Sequence, residues 1–342
     1  MVSYRDAVSD PKTPDTRLIA ENPGTKPPEI SVVVSTYQRS SRLPGLFEAL
    51  EAQTLDGFEV VMVDNGSSDD TEATLRKLVE TTSLRVKAVR VERNRGPAAG
   101  RNAGWQHATA PFVAFTDDDC LPRAHWLERG LAAIRNNNAV VAGMTVPEHL
   151  PTIAGPFSRT GYPENAHWLA TCNVFYRKGD LELVGGFDER FETPAAEDTD
   201  VGWRIQRDAG RGFIHATDAV VEHVVWPSDF RASFKEAKRW YGIPYLIARH
   251  PKTGRDMLFW RYFWKPSHPP ALLATAALIA APFSLYALAG TLPWLWYRLI
   301  KKPLPARRVK YRPLYVPGAF LIDLAEIYSM IRGSIRYRAL VL

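Results

Sequence analysis

Cysteine is scarce: the 342 residues contain only Cys120 and Cys172. Two thiols cannot build a disulfide framework or a cysteine-based zinc module, and both read as small buried apolar groups. Residues 1–29 lack the basic and apolar segments of a secretory leader. They hold five prolines and no apolar run, so they read as a flexible N-terminal arm of a cytosolic protein. No internal repeat and no low-complexity tract is present. Acidic residues are the minority, 37 against 43 Lys and Arg, for a net charge of +6. The surplus is local. Residues 271–342 hold ten basic and two acidic side chains, a net of +8, which leaves −2 for residues 1–270. A nearly neutral body with a basic tail argues against nucleic acid as a partner and for anionic lipid headgroups.

What is present is ample for a core. Apolar residues make up 46%, and the length allows two domains, or one large α/β domain with an appendage. From Ile30 onward short apolar runs alternate with helical patterns. Strands are expected at 30–36, 58–64, 84–92, 111–117 and 139–144, with helices at 43–53, 70–80, 97–108 and 123–135. That alternation predicts a mostly parallel sheet flanked by helices. A further helix is expected near 197–209. Residues 229–270 are basic and rich in Trp, Tyr and Phe, a composition suited to amphipathic interfacial helices. Ala271–Tyr297 is 27 residues without a charge. It predicts a membrane-inserted or re-entrant helix, interrupted by Pro282 and Pro293, followed by a basic amphipathic tail to 342. The expected organisation is therefore an arm over 1–29, a catalytic domain over 30–228, interfacial helices over 229–270 and a membrane region over 271–342.

Candidate chemistry sits where strands end, since ligands gather at the carboxyl ends of a parallel sheet. The first strand delivers Thr36 and Arg39, and the second delivers Asp64. NRGPAAGRNAG (94–104) is a Gly-rich helix entry, not a G-x-G-x-x-G, whose N-terminus with Arg101 suits phosphate. FTDDDC (115–120) sends a buried strand into three carboxylates. Strand geometry would point Asp117 and Asp119 one way and Asp118 the other. Such a pair suits Mg²⁺ or Mn²⁺, and a solvated acidic turn is the alternative. Glu197 and Asp198 open a helix, where carboxylates either cap the helix or serve as a general base. His223 lies late in a short strand and is weighed as a metal ligand beside the acidic triplet.

Together, ISVVVSTYQR, EVVMVDNGSSDDT, NRGPAAGRNAG, FTDDDC, GGFDERF (185–191) and EDTDVGWRI (197–205), in that order, resemble the family 2 glycosyltransferases. The resemblance covers about Ile30 to Val225 and implies a GT-A fold. It implies inverting transfer of a sugar from a nucleotide-diphosphate sugar to an acceptor hydroxyl. Carried over by position, Thr36 and Arg39 would line the base and phosphate pocket, Asp64 would bind the base, and Arg101 would sit beside the nucleotide. Asp118 would lie near the ribose. Asp117, Asp119 and His223 would hold Mg²⁺ or Mn²⁺, and Asp198 would be the catalytic base. The donor nucleotide would be UDP or dTDP. The Q-x-x-R-W element of processive members is replaced by EAKRW (236–240), which points to single-sugar transfer. The C-terminal stretch resembles that of membrane-associated members. It implies a lipid-linked glycan or cell-envelope polysaccharide precursor as acceptor, contact with membrane lipids, and a place at the cytoplasmic face of the membrane. The competing readings are a sugar-phosphate nucleotidyltransferase and a non-catalytic membrane adaptor that retains the fold.

Overall fold

The computed structural model describes residues 15–148, 169–191, 194–224, 229–301 and 312–342. The chain divides into two compact units. The first comprises residues 1–149 and 161–224, and the second residues 150–160 and 225–342.

The first unit is built on one nine-stranded sheet. Its strands are β1 (Thr16–Asn22), β2 (Ile30–Thr36), β3 (Phe58–Asp64), β4 (Arg85–Val91), β5 (Phe112–Phe115), β6 (Cys120–Pro122), β7 (Ala139–Pro147), β8 (Val174–Arg177) and β9 (Gly212–His223). Their spatial order is β1-β4-β3-β2-β5-β8-β7-β9-β6. The strands β4-β3-β2-β5 are mutually parallel. Antiparallel β1, β8 and β6 make the sheet mixed, where a mostly parallel one was expected. The antiparallel members escape the sequence pattern because two of them are only three or four residues long. β1 corrects the expectation of an arm over 1–29: Thr16–Asn22 pairs with β4 along the sheet edge. Arg17 there forms a bidentate pair with Glu72.

Helices cover both faces, and the period of two in β2 decides which side chains meet which helix. Val32 and Val34 join a core with Leu46, Phe47 and Leu50 of α1 (Leu43–Glu51), Leu75 and Val79 of α2 (Thr71–Thr81), and Trp126, Leu127 and Ile134 of α4 (Trp126–Asn136). Val33 and Ser35 face α3 (Pro97–His107) instead. A Cβ on Gly104 would lie 2.2 Å from Val33 Cγ1, and one on Gly100 would lie 2.1 Å from Ser35 Oγ. The glycines of the 94–104 segment thus let α3 press directly onto β2.

In the second unit, residues 229–250 form α7 (Phe230–Glu236), a 3₁₀ turn and α8 (Ile243–Arg249), with Pro244 in the first turn of α8. α9 (Pro251–Asp256) follows. The uncharged stretch is broken into α10 (His268–Ala280), a 3₁₀ segment over 285–291, and α11 (Leu292–Trp296). The last helix is α12 (Arg312–Tyr337). Thirteen residues of α10 span only about 20 Å, short of the ~30 Å hydrocarbon core. Among the described residues, no helix is long and apolar enough to cross a membrane. This finding overturns the expected membrane-face localisation and any continuous membrane-spanning helix in the described part of 271–342. The physical reason is proline: Pro282 follows the end of α10, and Pro293 restarts a helix at α11.

The unit closes around charge as well as apolar contact. Glu326 accepts from Lys265 Nζ at 2.6 Å, Trp240 Nε1 at 3.2 Å and His268 Nε2 at 3.2 Å. Asp323 accepts from Ser267 Oγ, Trp294 Nε1 and Arg298. His268, Asp323 and Glu326 are close enough to hold a metal ion, but the Lys265 and Arg298 cations already occupy the carboxylate oxygens.

Candidate active site

The ends of β2, β3 and β5 and the start of α6 (Glu197–Asp208) bring the sequence-predicted residues into three linked groups within the first unit. The first surrounds Asp118. Thr36 Oγ1, in the last residue of β2, donates to Asp118 Oδ2 at 2.7 Å. Arg39 Nη1 donates to Asp119 Oδ2 at 2.6 Å and lies 3.5 Å from Asp118 Oδ1. Burial is the largest influence on the Asp118 carboxyl and pushes it up; Arg39 and Thr36 pull it back, and it rests at about 6. The Arg39 guanidinium stays charged, because Asp118 and Asp119 outweigh the cost of its burial.

The triplet does not alternate as an extended strand would. β5 stops at Phe115, and the Cys120 amide donates back to the Asp117 carbonyl at 3.1 Å. That turn sends Asp118 and Asp119 together toward Arg39 and leaves Asp117 facing Arg101. Asp119 and His223 meet at the far edge of the sheet, where His223 Nε2 lies 3.4 Å from Asp119 Oδ1. His223 Nδ1 is 2.8 Å from the Val224 carbonyl. A carbonyl only accepts, so Nδ1 carries the proton and Nε2 presents a lone pair in the neutral ring. An imidazole fixed through its other nitrogen, beside a carboxylate, is a donor set that fits a divalent ion.

The second group is organised by Arg101. Its Nη1 donates to Glu197 Oε1 at 2.7 Å and its Nη2 to Asp117 Oδ1 at 3.3 Å. The guanidinium also lies 5.9 Å from the centroid of the Phe187 ring. It is held charged because Asp117, Glu197 and Asp198 together overcome its burial. Burial, and then the Asp198 charge, push the Glu197 carboxyl well above the ordinary carboxylate range. Its Oε2 is buried with no hydrogen-bond partner among the described residues. Asp198 is half-exposed, whereas Glu197 and Asp200 in the same turn are buried. The Thr199 amide donates to Asp198 Oδ1 at 2.7 Å. Ala196, just before the helix, has φ +78°, a left-handed conformation of the kind that recurs in strained functional segments. Asp200 is structural: it accepts from Arg204 at 2.7 Å, and Arg204 in turn donates to the Val184 and Gly186 carbonyls.

Asp64 forms the third group. It is fully buried at the end of β3. Oδ1 accepts from the Ser67 amide at 2.9 Å, and Oδ2 is paired with Arg90 Nη1. Both oxygens are therefore engaged in shaping the 64–67 turn. Sequence reasoning missed Arg90, which lies in an alternating strand pattern with nothing to mark it, and weighed Glu197 as a helix cap or general base without foreseeing its pairing with Arg101. It also left Asn102 unnoticed. This side chain donates to the Phe187 carbonyl at 2.9 Å and accepts from the Phe187 amide at 2.8 Å, pinning the GGFDERF loop to α3.

The sequence profile of Glycosyl transferase family 2 matches residues 31–181, and that of Glycosyl transferase family group 2 matches residues 154–301. The chain belongs to the family 2 glycosyltransferases. This glycosyltransferase is 27% identical over 212 residues to glycosyltransferase AglE of Haloferax volcanii, covering 58% of the chain and 68% of AglE. It is 30% identical over 218 residues to validoxylamine A glucosyltransferase of Streptomyces hygroscopicus subsp. jinggangensis, covering 52% of the chain and 51% of that protein. Pre-mycofactocin glycosyltransferase of Mycobacterium tuberculosis is 26% identical over 245 residues, covering 65% of the chain and 48% of its own length. The glycosyltransferase thus spans about half the length of the last two. Among solved structures, mannosyltransferase PcManGT from Pyrobaculum calidifontis, in complex with GDP-Man and Mn²⁺, superposes with TM-score 0.59 at 21% identity, over 91% of this chain and 89% of that one. S. aureus TarS 1–349 in complex with UDP-GlcNAc gives TM-score 0.51 at 19% identity, over 91% and 92%. At these identities the likeness establishes the GT-A-type fold, with its mixed sheet flanked by helices.

Proposed function

We propose that the chain moves a single sugar from a nucleotide-diphosphate sugar, with UDP or dTDP as the nucleotide, to an acceptor hydroxyl by one inverting displacement. The acceptor in this reading is a lipid-linked glycan or another cell-envelope precursor. The observation that carries it is Arg101, which joins Asp117 of the acidic triplet to Glu197 at the start of α6. Asp198, next in the chain, lies near enough for its charge to act on the Arg101 guanidinium, which supports placing it with the triplet.

Asp198 acts as general base. Its half-exposed carboxylate takes the proton of the acceptor hydroxyl as that oxygen attacks the anomeric carbon. The bond from the anomeric carbon to the diphosphate oxygen breaks, and its electron pair leaves with the nucleoside diphosphate. No enzyme nucleophile forms, which separates this site from a retaining carboxylate pair. Thr36 and Asp118 form one polar edge for the ribose, and Arg39 and Arg101 add positive charge where negative charge grows. A divalent cation, Mg²⁺ or Mn²⁺, held by Asp119 and His223, and by Asp117 if it turns from Arg101, would neutralise the departing diphosphate. Asp64 would accept a base N–H through a second lone pair on an oxygen that already accepts from Ser67 or Arg90.

Asp198→Asn tests the assignment. Turnover should fall by about 10²- to 10⁴-fold, while binding of UDP with Mn²⁺, followed by calorimetry, stays as in the wild type. Wild-type turnover in this variant removes Asp198 as the base.

A further inference from the structure

The antiparallel pairing of β6 with β9 puts a thiol next to the Asp119–His223 pair. Cys120 stands directly opposite His223 in the ladder, so the two side chains leave the same face. One ligand atom from each of Asp119, Cys120 and His223 lies within 4.8 Å of the others. Two of the three sit on a strand pair whose backbone is fixed by its hydrogen bonds, and the His223 ring is oriented through Nδ1. Cys120 is fully buried and not in a disulfide.

These donors differ in kind. Mg²⁺ and Mn²⁺ take carboxylate oxygen and imidazole and leave a thiol protonated, whereas Zn²⁺, Co²⁺ and Cd²⁺ bind thiolate in tetrahedral sites with nitrogen and oxygen. We propose that this centre has a second binding mode, in which Cys120 Sγ, His223 Nε2 and an Asp119 oxygen hold a thiophilic divalent cation such as Zn²⁺. The S–H bond breaks as the sulfur–metal bond forms, and the proton goes to solvent. Zn²⁺ so held draws on Asp119 and His223, and it therefore competes with Mn²⁺. The proposal rests on the reading that a divalent cation binds at Asp119 and His223.

The test uses the full chain under reducing conditions. Co²⁺ is titrated in while the near-ultraviolet thiolate-to-cobalt band is recorded, and Mn²⁺ binding is followed by electron paramagnetic resonance. Wild type should show the band, and Mn²⁺ should suppress it. Cys120→Ala and Cys120→Ser should lose it, and Zn²⁺ affinity should fall by at least the roughly 10- to 100-fold that even outer partners of a metal site cost. Mn²⁺ affinity should hold. Cys172 lies within hydrogen-bonding reach of Cys120, so Cys172→Ala is the matched control and should keep the band. Co²⁺ binding without the band in wild type, with Mn²⁺ still bound, overturns the role of Cys120 and leaves the Mn²⁺ reading standing. Loss of Mn²⁺ and Zn²⁺ affinity together in both Cys120 variants also overturns it, since that marks a packing role. Failure of wild type to bind either Mn²⁺ or Co²⁺ overturns both readings.

Discussion

Arg101 is where several small decisions of the chain converge. A guanidinium can make two hydrogen bonds in one plane, and here it makes them to Asp117 and Glu197. Its side chain is 12% exposed and that of Glu197 is 5%, so neither charge is well hydrated. Removing one partner of such a pair costs about 3–5 kcal/mol, because the other charge is left buried and alone. Arg101→Met should therefore lower the urea midpoint sharply. Arg101→Lys keeps the charge but not the fork. It should retain most of the stability and still reduce kcat, because it can no longer hold Asp117 and Glu197 at once. Equal kcat for Arg101→Lys and wild type would remove the positioning role. At this scale the sequence was a partial guide. Thr36, Arg39, Arg101 and the triplet were legible because each follows a strand end or a glycine-rich turn. Glu197 was not, because whether a helix-start carboxylate caps the helix or is buried against an arginine 96 residues away is decided by packing alone. The orientation of the triplet was misjudged for a related reason. Alternation holds only while a strand lasts, and β5 ends two residues before Asp117.

Elements show the same division between local pattern and distant contact. β2 and β3 match their expected bounds, and α1 to α4 lie within a few residues of theirs, because apolar periodicity is a local signal. The glycines of α3 looked like a phosphate loop, and the structure gives them a packing role. Gly104→Ala would force a methyl group to within 2.2 Å of Val33 Cγ1. Overpacking of this sort costs about 1–3 kcal/mol, so the denaturation midpoint of Gly104→Ala should fall although no catalytic group is touched. In α12 the decisive element is charge. Burial alone would raise the Glu326 carboxyl, but Lys265 and His268 hold it at about 2, against an ordinary 4.5. A carboxylate held below its unfolded value stabilises the fold above that value and loses the contribution as pH falls toward the folded one. The loss is about 3 kcal/mol between pH 4.5 and 2. Urea midpoints should therefore drop on acidification through this window, and Glu326→Gln should flatten the drop. An unchanged acid limb in that variant would mean that other carboxylates carry it.

For the whole molecule, the division into two units determines where a ligand should be felt. All the groups proposed to touch the donor lie in the first unit, on the ends of β2, β3, β5 and β9, in α3 and at the start of α6. A ligand that binds only the native state adds about 2.7 kcal/mol at a hundredfold excess over its Kd. That stabilisation is greatest for openings that destroy the site. UDP with Mn²⁺ should therefore slow hydrogen exchange at amides 33–36, 115–120 and 197–200, while amides of α10 and α12 keep their rates. The protection should need both components: the diphosphate has little to hold it between Asp117 and Asp119 without a cation, and the cation alone leaves Thr36 and Arg101 without a ligand. Protection by UDP of equal size with and without Mn²⁺ would mean that the nucleotide is held by Arg39 and Arg101 alone. Protection centred on α10 or α12 would place the donor outside the sheet altogether.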